Sequence, residues 1–462
     1  MAVVAGFVSL FGSYWDDAWH TDRGRDEAWI PPHLVLYGAV AAAGAVVVGW
    51  GLVGLRRRRS VPAVLTELPL LLAGLGGAAT LGAAPIDSAW HAAFGRDAVL
   101  WSPPHMLAVT GSAILVLGVV SGVARTRAGV LEAAAVALLI GALLVPVLEY
   151  ETDVPQFSES WYLPVLLAGA VTAAALGRRL LPGRRVVAAA VVLYASFRLA
   201  VIGLLVLFGS STPDLPIAVL GLAVVDLPWR TAALRYGWAV AAVSGLAWGV
   251  SASGVAGPAA YRVGPVAVPV LAAAAVTTLM AARRGLFGAV VALLVATGWL
   301  VAVGPAPAYA HDPGQGAVIS RVNLSASSDG AGRLRVTAVL DTPCVARPVD
   351  VVARRAGRTV RGPLAVAGSC RYTGSVTVPD GGRWFLYVEF RDGGRPVEAW
   401  LPIDAGTAGD VSERRDLYVP SGTGPTRRLQ TVAGVGLYGL IGLLAAVAGW
   451  QLRRREVAAR RA

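Results

Sequence analysis

Residues 16–33 read DDAWHTDRGRDEAWIPPH, and residues 86–105 read IDSAWHAAFGRDAVLWSPPH. Each stretch has an Asp, a His four residues later, an Arg-Asp pair and a closing Pro-Pro-His. Four of the five histidines of the chain lie in these two copies. Because proline suits the first turn of a helix, each proline pair predicts the start of a new helix. The pattern therefore predicts a duplicated helix hairpin.

The composition around these hairpins is that of a membrane protein. Hydrophobic residues make up 56% of the 462 positions, and the mean hydropathy is +0.62. Apolar runs of about 20 residues, enough to cross a hydrocarbon core of roughly 30 Å, recur along the chain. We predict an all-α polytopic membrane bundle of about 11–12 spans. The predicted spans are 2–20, 33–55, 63–86, 105–124, 129–149, 161–177, 186–208, 215–230, 235–253, 264–282, 286–308 and 431–451.

Arginine clusters at the ends of the spans predict the orientation. The net charge is +12, every basic residue other than His is Arg, and runs such as 56–59 and 453–455 follow apolar segments. Under the positive-inside rule these ends face the cytoplasm, so His33 and His105 begin their helices at the outer face. This placement favours anionic lipid over nucleic acid as the partner of the basic residues. We expect a multi-pass protein of a bacterial plasma membrane with a cytoplasmic C-terminus.

Residues 309–428 differ in kind from the rest of the chain. Short alternating runs such as RLRVTAVLD, YTGSVTV and RWFLYVEF are separated by turn signals such as Pro-Asp-Gly-Gly. About seven strands in roughly 100 residues predict a β-sandwich, which the span count places outside the cell. Cys344 and Cys370, the two cysteines of the chain, both lie here. An oxidising compartment favours a disulfide between them.

The chain therefore divides into four predicted regions. They are a duplicated hairpin region (1–125), further transmembrane helices (126–308), the inserted extracytoplasmic β-sandwich (309–428), and a last span with an Arg-rich tail (429–462).

The repeated residues have the chemistry of a metal site. Residues four apart share a helix face, and the following proline pair brings a second His to the same end of the hairpin. Two imidazoles and one carboxylate suit copper, zinc or non-haem iron, and the spacing alone does not choose among these metals. The predicted ligands are Asp16, His20 and His33 in the first site and Asp87, His91 and His105 in the second. The predicted residues that orient them are Arg25, Asp26, Arg96 and Asp97.

These residues resemble the membrane C subunit of the particulate methane and ammonia monooxygenases. The shared features are the Asp–His spacing, the Arg-Asp pair, and the Pro-x-His with an aromatic residue, Tyr37, after it. The resemblance covers residues 1–125 and implies two neighbouring copper sites, the second with the longer final gap. It also implies an oxidase or monooxygenase-like complex with partner membrane subunits. Asp87 departs from the family, where an amide is more often expected, and the later spans and the β-domain are not part of that subunit.

Three other functions fit the same residues. A copper transporter or periplasmic copper-handling protein fits the many spans and the outer β-domain, although the predicted spans contain no Cys and few Met. A haem held axially by His33 and His105 would leave Asp16 and Asp87 unexplained. A duplicated packing motif with an outer aromatic belt would need no metal.

Ionisable residues elsewhere give two further expectations. Arg198 lies in the middle of a predicted span, so we expect an acidic partner on another helix. Glu149, Glu151 and Asp153 lie at the outer end of span 129–149. One interpretation is that they recruit cations towards the sites, and the more common one for an acidic loop is that they are simply solvated.

Overall fold

Two helix hairpins carry the repeated sequence. The computed structural model describes residues 1–23, 29–94, 100–124, 126, 128–152, 161–182, 185–253, 315–341, 346–355, 358–420 and 427–461. The first hairpin joins α1 (Ala2–Arg23) to α2 (Pro31–Arg58), and the second joins α4 (Leu68–Phe94) to α5 (Pro103–Val123). The proline pairs begin α2 and α5, as the sequence predicts.

The remaining helices pack against these hairpins or against one another. They are α3 (Val61–Leu65), α6 (Gly129–Leu144), α7 (Leu148–Glu151), α8 (Tyr162–Leu180), α9 (Val186–Leu207), α10 (Ala232–Ser253) and α11 (Arg427–Arg461), with 3-10 helices at Val145–Val147 and Ala218–Asp226. The last helix, α11, packs against α4 and α5, so the chain returns from the β-domain to the second hairpin.

Seven of the described helices are long and apolar enough to cross a membrane, which supports a multi-pass membrane protein. Helices α1 and α10, each of 22 residues, have the length but are less hydropathic. The predicted span 215–230 is wrong. It is a nine-residue 3-10 helix, about 18 Å long and too short to cross, and Pro216 and Pro228 limit it on either side. The predicted spans 264–282 and 286–308 lie outside the described residues.

Glycines let the two helices of the second hairpin approach closely. A Cβ on Gly76 of α4 would overlap the backbone nitrogen of Leu115 on α5, and one on Gly118 would overlap the backbone of Ala73. Without a hydrophobic driving force in lipid, helices associate through this kind of small-residue packing. The close approach fixes the distance between the helix that carries Asp87 and the helix that carries His105.

The domain at 315–420 contains eight antiparallel strands in a closed barrel, so the predicted β-sandwich is wrong. Alternation along a strand predicts which side chains face inward, but not whether the two edges pair. Here β1 pairs with both β2 and β8, which closes the sheet in the order β1-β2-β5-β4-β3-β6-β7-β8. The strands are β1 (Gln315–Asp329), β2 (Arg333–Leu340), β3 (Arg347–Arg355), β4 (Arg358–Gly368), β5 (Arg371–Thr377), β6 (Arg383–Asp392), β7 (Arg395–Asp404) and β8 (Ala408–Pro420).

The barrel rests on the end of the bundle where the first hairpin turns. Its interior is filled by apolar side chains such as Trp384 and Leu386. On the outside, Arg415 of β8 lies over the Trp400 ring and donates to the carbonyl oxygens of Asp22 and Arg23 at 2.8 Å. A cation is favourable at this C-terminal end of α1, where carbonyl groups lack helical partners.

Only one of the two cysteines of the predicted disulfide lies within the described residues. Cys370 is buried and is not a free thiol, which agrees with a disulfide. Cys344 lies outside the described residues, so the Cys344–Cys370 pairing stays a prediction.

The glycine contact predicts a selective loss of stability. Gly76→Ala should lower the free energy of unfolding by about 1–3 kcal/mol, because the new Cβ forces α4 and α5 apart. Thermal unfolding of the purified protein in detergent measures this. Gly74→Ala on the same helix is the control, since a Cβ there meets nothing within 4 Å. Equal loss in both variants would contradict the close approach.

Candidate metal centres

The first hairpin brings Asp16, His20 and His33 together. Asp16 Oδ1 lies 3.1 Å from His33 Nε2, and Asp16 Oδ2 lies 3.7 Å from His20 Nδ1. Both imidazoles are buried, at 6% and 7% exposure. Asp16 and His20 share a face of α1, and His33 lies in the first turn of α2. The carboxylate therefore lies between two imidazoles from opposite arms of the hairpin.

The second hairpin repeats this arrangement. Asp87 Oδ2 lies 3.1 Å from His91 Nε2, and Asp87 Oδ1 lies 3.4 Å from His105 Nε2. The two imidazole rings of each hairpin are 6.2 Å apart at an angle of 60°. In each triad, one nitrogen or oxygen atom per residue lies within 4.8 Å of the others. The structure therefore brings each predicted set of residues together.

Two buried oxygen atoms favour a cation at these positions. Oδ1 of Asp16 and Oδ1 of Asp87 are buried, and neither makes a well-aligned hydrogen bond within the described chain. Ligands about 2.1 Å from one ion are about 3–3.5 Å apart, which is close to the observed Asp–His separations. Each of these oxygen atoms faces one imidazole nitrogen, at 3.1 Å in the first triad and 3.4 Å in the second, so an imidazole and a carboxylate oxygen converge on one point in each triad. Because buried carboxylate oxygens need polar or charged partners, the residues present fit a bound metal ion.

The two triads border one cavity of about 470 Å³. Residues of both hairpins line it, namely Asp16, His20, His33, Asp87 and His105. Thr80 and Ser112 add hydroxyl groups, and most of the remaining wall consists of aliphatic side chains such as Leu115 and Val116. Sequence spacing predicts each triad but not this shared space, which depends on how the hairpins pack together.

The other predicted site residues have different outcomes. Arg25, Asp26, Arg96 and Asp97 lie outside the described residues, so their role stays a prediction. The ring of Tyr37 lies 5.5 Å from that of His33. The predicted solvation of Glu149 and Glu151 is wrong, because both side chains are buried, at 3% and 8% exposure. Their partners are distant in sequence, and no local signal identifies them. Asp153 lies outside the described residues.

Arg198 has the acidic partner that the sequence predicts. Its guanidinium lies 2.8 Å from Glu151 Oε2 and also donates to the hydroxyl groups of Tyr14 and Tyr194. Tyr14 lies on α1, shortly before Asp16. A fully buried arginine of this kind depends on its counterion and its hydrogen bonds.

Comparison of the chain with family models, with curated proteins and with solved structures gives no match. The resemblance to the monooxygenase C subunit therefore consists of the repeated ligand motif alone.

The duplicated geometry predicts that the two sites lose metal independently. His33→Ala and His105→Ala should each remove about one metal ion per chain, and the double variant should remove both, because each triad loses one of its two imidazoles. Metal analysis of purified, metal-loaded protein measures the stoichiometry. His311→Ala is the matched control, since the fifth histidine lies outside both copies of the repeated motif. If the double variant kept its full metal content, neither triad would be a metal site.

Proposed function

We propose that this chain is an integral membrane copper protein with two Asp-His-His sites, and that it forms the metal-bearing part of an oxidase or monooxygenase-like complex. The observation that carries the proposal is that both triads border one mostly aliphatic cavity. Nitrogen-rich sites with one oxygen ligand suit copper, zinc or iron, and the resemblance of the repeated motif to the monooxygenase C subunit is what favours copper. Copper bound there would supply one-electron redox chemistry.

In this proposal the residues of the chain bind the metal ions, orient the ligands and leave a route by which another molecule reaches the metal. The imidazoles and carboxylates bind the ions, and each aspartate orients its two imidazoles from between them. Three protein ligands leave room for an exogenous molecule at the metal, and the shared cavity is the space through which such a molecule would reach either site. The aliphatic wall favours an apolar or lipid-soluble molecule over a charged one.

The cavity argues against copper transport as the main function. A path for a charged ion through the bilayer needs polar or sulfur ligands along its length. Away from the triads, most of the described wall is aliphatic, as at Leu115, Val116 and Leu138, and its few polar side chains include Asp17, Thr80 and Ser112. A single haem is also less favoured, because His33 and His105 each face their own aspartate.

A cavity-filling substitution tests the proposal. Nitric oxide, a small neutral molecule that binds copper, should change the electron paramagnetic resonance spectrum of the copper-loaded protein, because it can enter the cavity and bind the metal. Ala108→Phe should suppress this change while two coppers per chain are retained, since Ala108 lines the cavity. Ala42→Phe is the control, because Ala42 is exposed on α2 and does not line the cavity.

Two results would count against the proposal. A purified protein that binds no copper after loading would remove its basis. Copper that crosses the membrane of reconstituted vesicles at a rate that depends on His33 and His105 would instead favour the transport function.

A further inference from the structure

The short helix α7 carries two buried glutamates outside both triads. Glu149 and Glu151 are 3% and 8% exposed, although they belong to a helix of only four residues. Burying a carboxylate is costly unless strong partners hold it. Glu149 is held by a backbone group of the second hairpin, and Glu151 is held by Arg198 of α9, which in turn contacts the first hairpin.

Glu149 holds the second hairpin. Its Oε1 accepts a hydrogen bond from the backbone N–H of Leu100 at 2.6 Å. Leu100 lies in the connection between α4 and α5, shortly before His105, and its side chain borders the cavity. The next residue, Trp101, is held by a different helix, because the Tyr438 hydroxyl of α11 donates a hydrogen bond to the Trp101 carbonyl oxygen. The position of this connection sets where α5 begins, and therefore where His105 lies.

Glu151 acts on the first hairpin through Arg198. The guanidinium of Arg198 bridges Glu151, at 2.8 Å, and the Tyr14 hydroxyl, at 3.2 Å. Tyr14 lies on the helix that carries Asp16 and His20, and it is 1% exposed. A charge-assisted contact between fully buried groups fixes the position of α1 more firmly than packing alone.

The same turn also contacts the barrel. The carbonyl oxygen of Thr152, directly after α7, lies 3.5 Å from the Arg383 guanidinium of β6. Leu148, at the start of α7, lines the shared cavity.

We propose that α7 is a brace that sets the positions of both triads, with Glu149 as the positioning residue of the second site and the Glu151–Arg198–Tyr14 chain as that of the first. This inference rests on the proposed function, because it assumes that the triads bind metal. It explains why two glutamates are buried at the outer end of α6–α7. It also predicts that Glu149 affects only the second site and that the Glu151–Arg198–Tyr14 chain affects only the first.

The test measures copper affinity one site at a time. The first site is measured in a His105→Ala background and the second in a His33→Ala background, each by competition with a copper chelator. Glu149→Ala should weaken the second site by about 10–100-fold and leave the first within about threefold, as expected for a residue that orients metal ligands. Glu149→Gln should restore the affinity, because its amide oxygen still accepts from Leu100. Tyr14→Phe should weaken only the first site.

A metal-independent measurement separates this inference from the proposed function. In metal-free protein, amide hydrogen exchange in a peptide covering residues 100–107 should be faster in Glu149→Ala than in wild type or Glu149→Gln. If the wild-type protein binds no copper, the proposed function fails, and the exchange rates still test the brace. If Glu149→Ala does not fold, Glu149→Gln and Tyr14→Phe remain measurable.

Three results would overturn the brace. Glu149→Ala could weaken both sites equally, which is the result of a general loss of stability. Glu149→Ala could change neither the affinity of the second site nor the exchange of residues 100–107. Tyr14→Phe could leave the affinity of the first site unchanged or weaken the second site instead.

Discussion

A carboxylate in the interior of a membrane helix bundle costs several kcal/mol unless hydrogen-bonding or charged groups surround it. Asp16 and Asp87 both meet this requirement with two imidazoles, one from their own helix and one from the start of the next. The proline pairs that begin α2 and α5 help to keep these three groups together, as does the glycine packing of α4 on α5 in the second hairpin. In each triad one carboxylate oxygen still lacks a well-aligned hydrogen bond, and a metal cation would satisfy it.

Other buried charged groups near the two triads also have hydrogen-bonding or charged partners. Arg198 and Glu151 neutralise each other, Glu149 accepts from the backbone of the second hairpin, and Arg415 of the barrel binds the last carbonyl groups of α1. Polar groups of five parts of the chain, namely α1, the α4–α5 connection, α7, α9 and the barrel, therefore make contacts near the two triads. The barrel is attached at this end of the bundle, so its position is tied to the helix that carries Asp16 and His20.

Local patterns in the sequence predict the hairpins and the triads, because an Asp–His spacing of one helical turn and a proline pair act within a few residues. Structural features that depend on contacts between residues far apart in the sequence are predicted less well. Alternation predicts the strands, but the pairing of β1 with β8 decides between a barrel and a sandwich. Hydropathy predicts a span at 215–230 because an average of side-chain hydropathy takes no account of backbone geometry. Here Pro216 and Pro228 shorten the helix. The burial of Glu149 depends on Leu100, 49 positions away, and the shared cavity depends on contacts between the hairpins.

Diffraction from crystals of the copper-loaded protein, recorded on both sides of the copper absorption edge, tests the central claim most directly. The account predicts two anomalous peaks that appear only above the edge, one among Asp16, His20 and His33 and one among Asp87, His91 and His105, both at the border of the cavity. Copper located elsewhere, or no copper peak in either triad, would contradict it.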